Sequence, residues 1–136
     1  MPFLATLYFR TAILFLIIGI GIGIHMSVSG NHQVMGAHAH LNLLGWVTSA
    51  LFGTYYALHP AKAAGRMATL QYGVYVIGLV VMIPALYIML NGNPGVEPIV
   101  AAGSIIVFAG VLLFGWIIFS SDGKASAPTG FRQPAE

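Results

Sequence analysis

The chain contains no cysteine. Disulfides, iron–sulfur clusters and thiolate metal sites are excluded with it, so any metal must be held by histidine, carboxylate, methionine or backbone. Charge is nearly as scarce. Charged residues make up 6% of the 136 positions, against about a quarter in an ordinary soluble domain. So few charges cannot cover a surface that faces water. The net charge is only +2 and the basic residues are scattered singly, which leaves no footprint for a nucleic acid. Three acidic side chains stand against five histidines, and that ratio poses the functional question.

Apolar residues, 58% of the chain, are gathered in four stretches. They run from about Tyr8 to Met26, Met35 to Leu58, Met67 to Leu90 and Val96 to Phe119. Each approaches the ~20 residues that a helix needs to cross the hydrocarbon of a bilayer. Inside lipid the backbone must satisfy its own hydrogen bonds, so helices are expected even across the strand-like alternation Gly19-Ile20-Gly21-Ile22-Gly23-Ile24. No small-residue cleavage site follows the first stretch, which therefore reads as a retained span rather than a signal peptide. The fold class predicted is all-α, an integral membrane bundle of four transmembrane helices over residues 1–120, followed by a polar, mobile tail over 121–136.

Orientation follows from the basic residues. Arg10 opens the first span, Lys62 and Arg66 lie between the second and third, and Lys124 and Arg132 follow the fourth. All five fall on one side of a four-span topology. The positive-inside rule makes that side cytoplasmic, with both termini inside and the loops 27–34 and 91–95 outside. Pro84 predicts a kink in the third span, and Gly19 and Gly23 form a small-xxx-small pair suited to close helix approach.

Four histidines, His25, His32, His38 and His40, lie within sixteen positions of one another, at the outer level. His38 and His40 are two residues apart, about 200° around a helix, so they point to opposite sides and cannot chelate one ion. Ionisable groups inside a span are costly and mark function by default. Imidazole is the common axial ligand of haem and also suits copper. With no cysteine, bis-His haem is the natural candidate, and Met26 and Met35 at the same level keep a methionine ligand available. His59, before Pro60, needs no special role. Trp46 reads as a packing or interface aromatic, Tyr72 and Tyr75 as interfacial anchors, and Glu97 as a helix N-terminal carboxylate.

The segment Gly36-Ala37-His38-Ala39-His40-Leu41-Asn42-Leu43-Leu44-Gly45-Trp46 resembles the haem-copper oxidase and nitric oxide reductase catalytic subunit family. Leu43 to Tyr56, with Gly45-Trp46 and Tyr55-Tyr56, is similar to the second helix of its cbb3-type members. The resemblance implies haem b, held by His38 and His40 as iron ligands. His25 is a further candidate ligand, and Asn42 a group that could hydrogen-bond a propionate. The family has twelve core helices in three arcs of four, and a copper site with a His-His pair that this chain lacks. A four-helix chain resembles one arc, so a homotrimer resembling the twelve-helix core is the assembly implied. Each haem would then lie between His40 of one copy and His38 of the next.

These expectations describe a membrane-bound b-type haem protein that transfers electrons to a redox partner protein, or binds or reduces O2 or NO. Whether it is an enzyme depends on whether an iron position is open. The missing copper histidines argue against a four-electron oxidase. Two other classes stay open from sequence: a copper- or zinc-binding membrane protein without haem, using His25, His32, His38 and His40, and a small accessory subunit of a larger oxidase.

Overall fold

The computed structural model describes residues 1–120, and the tail expected over 121–136, with Lys124 and Arg132, lies outside them. Every regular element among the described residues is helical. Helix α1 spans Phe3–Ser29 and stops at Gly30, whose positive φ of 65° ends the helix in the left-handed region. The second apolar stretch is divided: α2 covers Met35–His40, a π-helical segment covers Leu41–Thr48, and α3 covers Ser49–Leu58. The backbone stays right-handed helical at each junction, so the three follow one another without a turn. A short α4, Pro60–Ala63, leads to α5, Arg66–Leu90. A single 3-10 turn, Pro94–Val96, then opens α6, Glu97–Phe119. Pro84 sits inside the unbroken α5.

Three helices, Phe3–Ser29, Arg66–Leu90 and the stretch Pro94–Phe119, are each long and apolar enough to cross a membrane. Their outward surfaces carry Ile13, Leu14, Ile17, Ile77, Ile105 and Leu112, all exposed. Such a surface belongs in lipid, and the chain is a membrane protein by this chemistry.

Adjacent helices run antiparallel in register. Gly53 meets Tyr8, Gly45 meets Phe15, Gly19 meets Asn42 and Gly23 meets His38, so α1 descends as the α2-to-α3 rod ascends. Between α5 and α6 the backbones nearly touch. A Cβ on Gly78 would lie 2.6 Å from the amide nitrogen of Val107, and one on Gly103 would lie 2.7 Å from the backbone of Met82. In lipid, where burial drives little, such close contact supplies the packing attraction.

Lys62 ties the bundle at one end. Its Nζ donates to the carbonyl oxygens of Ile117 (2.7 Å), Ile118 (3.1 Å) and Ser120 (2.9 Å), acceptors that the end of α6 leaves without helical partners. Pro2, Phe3 and Leu4 share a hollow with Pro60 and Ala63. The start of α1, Lys62 and the close of α6 therefore lie at one end of the molecule, and the histidine-bearing loop lies at the other.

The π-helical turn has local causes. Thr48 Oγ1 donates to the carbonyl of Leu43 (2.8 Å), and Tyr75 Oη donates to that of Leu44 (2.9 Å). These donors occupy carbonyls that a widened helix presents away from its axis. At its centre Gly45 leaves room for Phe15, whose ring would lie 2.9 Å from an added Cβ.

Candidate functional site

His38 and His40 occupy the last turn of α2 and leave it on different sides. His38 is half-buried against α1. Its Nδ1 lies 2.9 Å from the carbonyl oxygen of Gly19. A carbonyl can only accept, so Nδ1 carries a proton, and in the neutral ring Nε2 is left with its lone pair. No partner reaches Nε2 among the described residues. The ring rests where Gly23 has no side chain, since a Cβ there would stand 3.0 Å from Cε1.

His40 is exposed on another face of the same turn. Its Nδ1 donates to the carbonyl of Gly36 at 2.7 Å, which again leaves Nε2 as the bare nitrogen. Ala39, Leu43 and Leu44 form a hollow of about 190 Å³ beside it. The two-residue spacing thus separates the rings as the helical geometry requires.

Asn42 lies one turn below His38. Its Nδ2 donates to the carbonyl oxygen of His38 (2.8 Å) and stands 3.4 Å from Nδ1 of the same residue. The amide packs on Gly19, where an added Cβ would come within 2.7 Å of both its Nδ2 and its Oδ1. Its amide nitrogen is thus engaged within the helix, and its Oδ1 makes no hydrogen bond among the described residues.

The remaining histidines stand apart. His25 is exposed on the last turn of α1, where its carbonyl accepts from Ser29 Oγ (2.7 Å) and its ring makes no hydrogen bond. His32 is exposed in the following loop, with Nδ1 3.2 Å from the carbonyl oxygen of Gly30. Among the described residues no three of His, Asp or Glu are grouped as a metal site. One chain on its own therefore does not gather His25, His32, His38 and His40 around an ion. His59 lies at the other end, stacked on Tyr55 with centroids 4.3 Å apart. Glu97 opens α6 from an exposed position. Trp46 turns outward, 38% exposed.

The interior holds a polar cluster that the sequence reading missed. Tyr8 Oη and Tyr56 Oη both donate to Oε1 of Gln71, at 2.6 and 3.1 Å, and Gln71 Nε2 donates to the carbonyl of Gly110 at 3.2 Å. Tyr72 Oη meets Thr11 Oγ1 at 2.6 Å. Tyr72 and Tyr75, expected as interfacial anchors, belong to this interior instead: Tyr75 is fully buried and Tyr72 half-buried against the ring of Tyr8. The lone amide of Gln71 in an apolar span was the available signal, since such a group needs a partner within the bundle. Every buried side-chain polar atom among the described residues is satisfied.

An apolar cleft of about 460 Å³ opens between α1 and α5, bounded by Phe15, Ile22, Leu79 and Ile83, and includes none of the histidines. Comparison with known proteins adds no relative: no family model, no curated protein and no solved structure matches the chain.

Proposed function

We propose that the protein is a membrane-bound b-type haem protein of four spans, with the α2-to-α3 rod as the second, related to the catalytic subunit of haem-copper oxidases. The observation that carries this reading is the common state of His38 and His40. Each imidazole has Nδ1 tied to a main-chain carbonyl, at 2.9 and 2.7 Å, and Nε2 of each meets no partner among the described residues. A metal-binding histidine is held in this way, its second nitrogen on a backbone or carboxylate acceptor that fixes tautomer and ring orientation; His32 and His59 make the same bond, to Gly30 and Tyr55, and it is His38 and His40 that share one helical turn with their rings on different faces. The donor set fits haem: two nitrogen ligands and no thiolate.

His40 faces out of its own bundle beside Leu43, which is 61% exposed. A polar ring is costly on a lipid-facing surface, and a neighbouring copy of the chain with a haem between them would cover it. In this reading His40 of one copy and His38 of the next supply the axial nitrogens. Three copies close a ring with one haem per chain, and His25 stays at its rim. A haem held by both histidines would supply a one-electron couple, and O2 or NO would bind only where one of the two imidazoles left the iron. The basic end faces the cytoplasm, and the histidine end faces the outside of a bacterial inner membrane.

The test is an absorption spectrum of the purified protein, oxidised and then reduced with dithionite, together with its metal content. A sharp Soret band, b-type α and β bands and one haem per chain in a threefold oligomer are expected. A colourless protein carrying copper or zinc contradicts the haem reading. A different stoichiometry or symmetry contradicts the ring.

A further inference from the structure

We infer that Gly19, Gly23 and Asn42 are positioning residues that fix the tautomer and orientation of His38. Its significance for a ligand rests on the haem reading, but the assignment itself does not need a haem to be present.

A free imidazole places its proton on either nitrogen, and the bond made by one nitrogen decides the state of the other. The Gly19 carbonyl belongs to α1, nineteen positions away in sequence, and lies 2.9 Å from Nδ1. It holds the ring from a different helix, so the contact fixes His38 relative to the bundle and not merely to its own turn. The ring fits only because Gly23 is bare: with a Cβ 3.0 Å from Cε1, the imidazole must shift, and the 2.9 Å bond shifts with it. Asn42 completes the seat from below. Its Nδ2 engages the His38 carbonyl at 2.8 Å, and its amide fills the surface that Gly19 leaves open.

Asn42 acts on His38 through the backbone carbonyl and not through the ring. Nδ2 stands 3.4 Å from Nδ1 of His38, but Nδ1 already donates to Gly19 and presents no lone pair there. The amide donates to the carbonyl instead. His40 offers a contrast. Its Nδ1 acceptor, Gly36, lies four residues back on the same helix, so its tautomer is set locally and needs nothing from α1.

Nitrogen NMR of the full chain, labelled with 15N-histidine and held in detergent micelles without haem, tests this. The His38 signals are identified by their loss in His38→Gln, in buffer alkaline enough to keep imidazole neutral. The expected result is a single tautomer, with Nδ1 protonated and Nε2 bare. Gly23→Ala and Asn42→Leu should each shift His38 to averaged signals of mixed tautomers. Gly21→Ala, which meets nothing within 4 Å, should leave the wild-type signals. Averaged signals in the wild type, or wild-type signals in both Gly23→Ala and Asn42→Leu, overturn the assignment. If circular dichroism shows that Gly23→Ala does not fold, Asn42→Leu decides. Titration with haemin is read separately: a fixed tautomer in a protein that takes up no haemin removes the haem reading and leaves the positioning residues standing.

Discussion

The Nδ1 of His38 donates to the main-chain oxygen of Gly19 across 2.9 Å, from the second apolar segment to the first. The bond joins residues that the two-residue spacing of His38 and His40 alone would not connect. It does two things at once. It pins α2 against α1 near the end of the bundle opposite Lys62, and it leaves Nε2 of a half-buried imidazole without a partner among the described residues.

The interior amide should matter for stability. Gln71→Leu removes the shared acceptor of Tyr8 and Tyr56, two fully buried hydroxyls. An unsatisfied buried polar group costs about 1–3 kcal/mol, so the variant should unfold at distinctly lower temperature in detergent. Tyr8→Phe, which removes one donor and leaves Gln71 with Tyr56, should lose less. Equal stability of Gln71→Leu and wild type, followed by circular dichroism on heating, would show that the cluster contributes nothing.

Close approach of α5 and α6 gives a second expectation. Gly103→Leu drives a side chain into the backbone of Met82, and overpacking of this kind costs about 1–3 kcal/mol. Gly115→Leu, where nothing lies within 4 Å of an added Cβ, should stay within about 0.5 kcal/mol of wild type. The same thermal unfolding experiment on both variants reads the difference.

The absence of cysteine makes topology directly measurable, because any introduced thiol is the only one. Asn31→Cys and Asn91→Cys should react with a membrane-impermeant thiol reagent added to intact cells. Ala61→Cys should react only after the cells are opened. If Asn31 and Ala61 label from the same side, the α2-to-α3 rod does not cross the membrane and the four-span proposal fails.

Length and apolarity were enough to find the helices. The first, third and fourth apolar stretches correspond to α1, α5 and α6, with α1 beginning at Phe3 rather than near Tyr8. The spacing of His38 and His40 was enough to send them to different faces, because α2 is regular as far as His40. What sequence did not show was which faces meet. Helices apolar all round carry little amphipathic signal, so nothing marked Tyr75 as interior, and only the lone amide of Gln71 pointed to a buried face. The same limit hid the π-helical segment. It depends on Thr48 and Tyr75 reaching the carbonyls of Leu43 and Leu44, and one of those donors comes from another helix. Gly19 and Gly23 were legible as a close-packing pair, but not as the seat of a histidine.

If His38 and His40 hold haem iron through Nε2, as proposed, the dithionite-reduced absorption spectrum of wild type beside His38→Ala and His40→Ala must show it. Sharp b-type bands are expected in the wild type and are lost in each variant, with all three proteins equally helical. Full haem bands in both variants would contradict the proposal.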